Sequence, residues 1–350
     1  MDFGDEAALR ALIASTARRH GAERVLHLGA AALARPVAET AEALGLAATS
    51  ARSVDVLSDP AALRALLRSN GLSTVRSVRA ESAGRAVERA VEAGLPVVLR
   101  PASPGAGAGA ELVRDEAALA DWRCRAEPDG PYLVEEYLAG PQYGVETLTV
   151  DGAHHVLGIA ARQSAGPPGT PAAGHLFPAP LPERDQRLIR CTVTALLDLA
   201  GYEFGPAHTT VVLTDHGPRV LGVRCRGGAD RIPLLVEVAT GFDPEAGLFE
   251  ALAGRPVPPV RAQRYARVAF FRLPAGAPDP AADLARLRAV PHVHDLQAPP
   301  PPGRPGDDRG RVVVHAATPD EAAERVAAVL RELGAEPSPT DPRLMKGLVP

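Results

Sequence analysis

The sequence of 350 residues predicts an α/β protein built from several α+β lobes, and three observations carry that prediction. Apolar residues recur at helical spacing over 36–46, 185–200 and 319–333, the pattern that lays one side of a helix against a core. Short runs rich in Val, Leu, Ile and Tyr stand between them, bounded by Gly, Pro, Asn and Asp. A Gly- and Ala-rich loop, 102–109, separates two of those runs, and no internal repeat is present.

The elements follow in order. Residues 22–30, AERVLHLGA, read as a buried strand running into a loop, with a helix over 36–46. Ser58-Asp59-Pro60 opens the next helix, because a carboxylate accepts from free first-turn amides and proline has no N–H to lose there. Asn70-Gly71 closes it. The chain then reads helix (85–93), strand (96–100), glycine loop, strand (110–113) and helix (115–122). Residues 132–137 form an apolar strand, and 143–151 with 155–160 a hairpin. The Gly-, Pro- and Ala-rich run 163–182 reads as one long loop, followed by an amphipathic helix over 185–200. A second hairpin pairs 209–213 with 219–226 around Asp215-His216-Gly217. Past Gly254 a proline-rich link leads to a strand (265–273), a helix and a further strand. The tract 299–310 is turn-rich and expected to be mobile; 311–316 and 319–333 close the chain as strand and helix. The expected lobes are 1–58, 59–138, 139–260 and 261–350.

Bulk properties exclude several functions. A formal charge of -4 with interspersed signs gives no basic footprint for nucleic acid. No window approaches an uninterrupted apolar span, so no membrane helix is expected. Three cysteines, Cys124, Cys191 and Cys225, are too few and too scattered for a disulfide framework or a zinc site. The N-terminus, MDFGDEAALRALIAS, is acidic and helix-patterned, unlike a secretory signal. A soluble cytoplasmic protein is the expectation. Lys346 is the only lysine among 38 Lys and Arg residues, so an Arg at a position that elsewhere holds Lys follows the composition.

The run 220–243, VLGVRCRGGADRIPLLVEVATGFD, resembles the catalytic strand and following helix of the ATP-grasp superfamily, E-[IV]-N-x-R-x-x-G, then I-P-x-L-V, then A-T-G-x-D. SDPAALRALLRSNGLSTVRSVRA resembles its opening helix, with Pro60 at the family's lysine and Arg64 at its arginine. LVEEYLAGPQ at 133–142 is similar to the adenosine-binding hinge. The last lobe resembles that of the L-amino-acid ligase branch. The resemblance covers roughly 36–333 and implies a trimmed N-terminal lobe, a glycine-loop lid, a core lobe and a small C-terminal α/β cap.

It also implies ATP-dependent joining of a carboxylate to an amine through an acyl phosphate. Each step gathers negative charge on phosphoryl oxygens, so such a site needs cations, backbone N–H donors and usually Mg²⁺. By the match Arg100 and Arg162 would meet the ATP phosphates, and Gly105, Gly107 and Gly109 would let lid amides approach them. Glu135 and the Leu138 backbone would meet the adenine. Gln142, standing where the family has a carboxylate, would hold the ribose. Arg226 would stabilise the acyl phosphate, while His208, Arg224 and Asp230 would line the substrate pocket.

The family's metal ligands fall on Thr210, Gly222 and Arg224. Strand residues two apart share a face, so Gly222, Arg224 and Arg226 are expected on one wall. Hard Mg²⁺ wants carboxylate oxygens, and an arginine repels it, so ordinary Mg²⁺ binding is not expected there. Three readings stay open. The chain is a ligase whose metal sits on other residues such as Glu146 or Asp230; or it binds a nucleotide or another anion through Arg100, Arg224 and Arg226 without metal; or it keeps the fold as a partner or scaffold subunit. The acid, the amine and the assembly, homodimer or complex with a partner protein, are open as well.

Overall fold

Local capping chemistry starts most of the helices in the computed structural model, which describes residues 5–102, 110–163, 172–274, 281–300 and 309–338. Asp5 accepts from Ala8 N to open α1 (Glu6–His20), which ends on Gly21 at φ 59°. Helices α2 (Ala34–Ala43) and α3 (Ala51–Ser58) follow, the latter capped by Ser50. Asp59 then accepts from Ala61 N and Ala62 N to start α4 (Pro60–Ser69), as its sequence predicts.

Two expectations fail in this region. The strand at 22–30 does not form, and only a parallel bridge between Val25 and Ala47 remains. The stretch between α2 and α3 offers it one partner residue, too little for a ladder. Helix α3 occupies 51–58, where no element was expected.

The next elements are β1 (Ser77–Ala80), α5 (Ala83–Ala93), β2 (Val97–Pro101), β3 (Glu111–Val113), α6 (Glu116–Arg125) and β4 (Tyr132–Glu136). The four strands form an antiparallel sheet in the order β1-β4-β2-β3. Ala83, Ala86 and Ala90 of α5, with Leu119 and Trp122 of α6, bury Val97, Leu99 and Val134. Trp122 meets Tyr132 edge-on, with ring centroids 5.0 Å apart. Because strand side chains alternate, this packing turns Glu135 to the opposite face.

Strands β5 (Gln142–Val150) and β6 (Ala153–Gln163) join through Asp151 and Gly152, at φ 49° and 76°, the positive values a two-residue hairpin turn demands. The run expected as one loop over 163–182 contains a strand, β7 (Gly174–Phe177). All four of its residues are buried, so no apolar/polar alternation marks it. Gly174 is required by close approach: a Cβ there would lie 2.1 Å from Val268 O.

Helix α7 (Glu183–Leu199) leads to a hairpin of β8 (Gly205–Thr214) and β9 (Gly217–Arg224). Strand β9 stops at Arg224, so Arg226 lies beyond the strand on which it was expected. Helices α8 (Ile232–Thr240) and α9 (Pro244–Leu252) precede β10 (Tyr265–Arg272), α10 (Ala281–Arg288), β11 (Val293–Gln297), β12 (Gly310–Ala316), α11 (Pro319–Glu332) and β13 (Glu336–Pro337).

The chain divides into two units. Unit 1 comprises Met1–Gly140, Thr147–Val156 and Arg184–Gly227; unit 2 comprises Pro141–Glu146, Leu157–Glu183 and Gly228–Pro350. In unit 2 the hydrogen-bonded path runs β11-β12-β10-β7-β6, all antiparallel, with β13 added to β10. Phe271, Val312 and Val314 pack there against Val326 and Leu330 of α11 and Leu284 of α10. Among the described residues no helix is long and apolar enough to cross a membrane.

Candidate functional site

In unit 1 a register shift creates an unusual cluster. Thr210 faces Gly222 but Val211 faces Val220, which leaves Leu221 as the extra residue of a β-bulge in β9. A bulge frees backbone carbonyls from the ladder, and they need donors. Arg64 of α4 supplies them: Nη1 donates to Val220 O at 2.5 Å and Nη2 to Leu221 O at 3.2 Å. Its Nε donates to Glu135 Oε1 at 2.6 Å, an ion pair whose side chains are 4% and 5% exposed. Arg100, at the end of β2, lies 3.6 Å from the other oxygen of Glu135 and donates to Leu221 O at 3.5 Å.

Two guanidiniums thus share one carboxylate, and the cluster carries surplus positive charge. Arg100 Nε is buried with no hydrogen-bond partner among the described residues. Burial, chiefly, lowers the Arg100 pKa from its ordinary value; Glu135 opposes the shift and Arg64 adds to it. The group still stays charged, as guanidiniums do.

The same hairpin sets four predicted positions on one face. Across the β8–β9 ladder His208 stands opposite Arg224 and Thr210 opposite Gly222. Directly opposite residues of an antiparallel pair project to the same side, so these four form one contiguous block. His208 is buried, with its Nε2 3.5 Å from Thr210 Oγ1. Gly222 has no heavy atom within 4 Å of where a Cβ would sit. Arg226 donates from Nη1 to Gly227 O at 2.8 Å, and its Nε is buried without a partner among the described residues.

In unit 2 a polar row crosses three strands. Arg162 Nη1 donates to Gln142 Oε1 at 3.2 Å. Arg162 also stands opposite His175 of β7, whose Nε2 lies 3.2 Å from Asp230 Oδ2. Asp230 holds φ 58°, the left-handed conformation that aspartate tolerates better than most residues. Burial pushes the Asp230 carboxyl up, but the hydrogen bond and charge of His175, with Arg309 and Arg162, outweigh it and hold the pKa below its ordinary value. Arg309 donates to Ala172 O at 2.6 Å, and its guanidinium sits 4.1 Å over the Phe270 ring. Glu146 is buried and accepts from Gly228 N at 3.1 Å.

The fold therefore collects the predicted residues into sets. Arg100 and Glu135 join Arg64 in unit 1; Gln142, Arg162 and Asp230 join one row in unit 2. Leu138 follows β4 and is half-buried. Gly105, Gly107 and Gly109 lie outside the described residues. Two members of the unit 2 row, His175 and Arg309, had no sequence signal, because both come from stretches that read as loop. Among the described residues, no group of three or more His, Cys, Asp or Glu is arranged to hold a metal ion.

Comparison with known proteins supplies the context for this geometry. The family model described as carbamoyl-phosphate synthase L chain, ATP binding domain, matches residues 59–164. An uncharacterised protein of Sinorhizobium fredii is 28% identical over 268 residues, covering 72% of this chain and 54% of its own. A D-alanine–D-alanine ligase of Anaeromyxobacter sp. is 27% identical over 197 residues, covering 53% of this chain and 62% of its own. The chain thus spans only part of the length of these curated relatives. Among solved structures, the L-amino acid ligase of Bacillus licheniformis superposes with a TM-score of 0.78 at 22% identity, covering 95% of this chain and 84% of the other.

Proposed function

Because the chain has the ATP-grasp fold, we propose that it is a nucleotide-binding protein of the carboxylate–amine ligase type, in which arginines take over charge neutralisation that Mg²⁺ ordinarily supplies in phosphoryl transfer. One observation carries the reading: Arg64 and Arg100 share a single buried carboxylate, and Arg100 keeps a buried N–H without a partner. A buried donor left unsatisfied is costly, and a phosphate oxygen is the acceptor that would relieve it while using the surplus charge.

In this reading Arg100 and Arg162 bind the ATP phosphates. The Glu135 carboxylate is committed to Arg64 and Arg100, so it orients the two guanidiniums and leaves the adenine edge to the main chain near Leu138. Gln142 keeps the ribose. A substrate carboxylate oxygen attacks the γ-phosphorus and ADP leaves; the acyl phosphate forms against Arg226. The amine, once its ammonium has given up one proton to water, then attacks the acyl carbon. The bond from that carbon to the phosphate oxygen breaks, and the departing phosphate takes the second nitrogen proton. His208 and Arg224 line the acid side, and Asp230, fixed by His175, meets the ammonium of the incoming amine. Thr210, Gly222 and Arg224 bring no carboxylate, so no step is assigned to a metal. Turnover is accordingly expected to be slow.

The test is a thermal-shift matrix of ATP, ADP and phosphate, each with Mg²⁺ and with EDTA, followed by ADP release with amino-acid mixtures. The expected result is a nucleotide shift that survives EDTA and is lost in Arg100→Ala, with weak ADP release that vanishes in Arg226→Ala. Binding abolished by EDTA would mean that the metal is held by other residues. An absence of any nucleotide shift would leave only the scaffold role.

A further inference from the structure

The antiparallel ladder of β11 and β12 in unit 2 gathers histidines on one side of its sheet. Val293 pairs with Val314, and His315 N donates to His292 O at 3.1 Å, which sets His292 opposite His315. Directly opposite residues of an antiparallel pair project to the same side. The register then shifts between Val293 and Asp295, leaving His294 as the extra residue of a bulge. A bulge re-aims a side chain out of the regular alternation, and here the His294 ring meets that of His315. Nε2 of His294 lies 2.7 Å from Nδ1 of His315, with ring centroids 4.9 Å apart.

Two imidazole nitrogens this close need a positive centre between them. A shared proton supplies it when one ring donates and the other accepts. A metal ion can take the proton's place. Nitrogen ligands sit about 2.0–2.1 Å from such an ion, so two of them at a right or tetrahedral angle stand about 3 Å apart. Opening 2.7 Å to that spacing takes a small rotation of the exposed His294 ring. His315 is half-buried, and water reaches the pair to fill the other coordination positions.

The surroundings favour the neutral rings that a metal requires. Burial first, then the charge of Arg264, lowers the His294 pKa, with Glu237 opposing. Burial also leads at His315, where His294, Arg264, Arg325 and His292 add to the lowering. His292 is lowered by burial and then by Arg325, against Glu321. The two arginines also repel a cation, which limits affinity. Arg325 is engaged with Glu321 at 2.6 Å, and Glu237 offsets Arg264 at His294. Such a site holds only ions that bind nitrogen strongly, and hard, oxygen-seeking Mg²⁺ is not one of them.

We propose that His294 and His315 form a surface site for a divalent transition-metal ion, Cu²⁺ before Ni²⁺ and Zn²⁺, with water completing the coordination. It uses two protein ligands, and none of the residues proposed to meet ATP. The test takes the untagged full chain carrying Cys124→Ser and Cys191→Ser, which removes the two exposed thiols. Cu²⁺ is added at neutral pH and followed by calorimetry and electron paramagnetic resonance.

The expected result is one tightly held Cu²⁺ whose spectrum shows nitrogen splitting from two imidazoles, weaker heats from Ni²⁺ and Zn²⁺, and none from Mg²⁺. His294→Gln and His315→Gln should each weaken Cu²⁺ binding by about tenfold or more, since losing even an outer-shell partner costs that much. Each should leave one imidazole in the spectrum and still unfold cooperatively in urea. His20→Gln and His216→Gln, both at exposed positions, should change neither readout. Cu²⁺ binding that survives both the His294 and His315 variants would overturn the proposal. A parent spectrum with a single imidazole, or heat from Mg²⁺ equal to that from Cu²⁺, would overturn it as well.

Discussion

Replacing Glu135 by Gln tests the buried arginine cluster most directly. The carboxylate lies 2.6 Å from Arg64 and 3.6 Å from Arg100, with Arg64 and Glu135 almost wholly buried. Glutamine keeps the shape and one acceptor but removes the only carboxylate paired with either guanidinium among the described contacts. Removing one partner of a buried pair costs about 3–5 kcal/mol, because the charge left behind is uncompensated. Arg64→Met should cost a similar amount by another route, since it strips the donors from Val220 O and Leu221 O. With an m-value of about 2 kcal/mol/M, Glu135→Gln should lower the urea midpoint by about 2 M. Trp122, the single tryptophan, sits in the core beneath β4 and reports the transition. The double variant should cost less than the sum of the two, with a coupling of about 2 kcal/mol. Phosphate should raise the midpoint of Glu135→Gln more than that of the parent. A Glu135→Gln cost below about 1 kcal/mol, with additive effects in the double variant, would refute the reasoning.

Three further outcomes follow from the geometry. Gly222 has room for a side chain, so Thr210→Glu combined with Gly222→Glu should fold and acquire Mg²⁺-dependent nucleotide binding by calorimetry; a variant that ignores Mg²⁺ would show that these are not the metal positions. The Asp230 carboxyl titrates below its ordinary 3.8, so it stabilises the fold above that pH and the contribution is lost as pH falls through the lower native value. Urea midpoints between about pH 5 and pH 3 should therefore fall less steeply in Asp230→Asn than in the parent. Gly174→Ala would place a Cβ 2.1 Å from Val268 O, a backbone atom that cannot yield, and should cost on the order of 3 kcal/mol in the same assay; a change under about 0.5 kcal/mol would disprove the close approach.

What was legible in the sequence was what is local. Asp59-Pro60 writes its own cap, the runs 143–151 and 155–160 announce a hairpin though not its turn at Asp151-Gly152, and α7 and α11 show their buried faces at helical spacing. Strand β7 was hidden because burial on both faces erases the period of two. Arg64 and Glu135 are each conspicuous in their own motifs, but their pairing spans 71 positions, and no pattern along the chain announces it. The expected common wall of Gly222, Arg224 and Arg226 assumed a regular strand to 226. The ladder keeps Gly222 and Arg224 on one face and ends before Arg226. His175 and Arg309 were missed for a related reason, since a polar residue in a Gly- and Pro-rich stretch carries no periodic signal.

The bulge at Leu221 has a consequence for how this hairpin tolerates substitution. Arg64 grips β9 through the main-chain oxygens of Val220 and Leu221, and Ser73 Oγ accepts from Val220 N at 3.1 Å. All three fastenings are to backbone atoms, which every amino acid but proline supplies alike. The side chains farther along β9 are thereby released from holding α4 in place. A glycine at 222 and an arginine at 224 can occupy the strand without loosening its attachment, so the chemistry of that wall can be rewritten while its scaffold stays put.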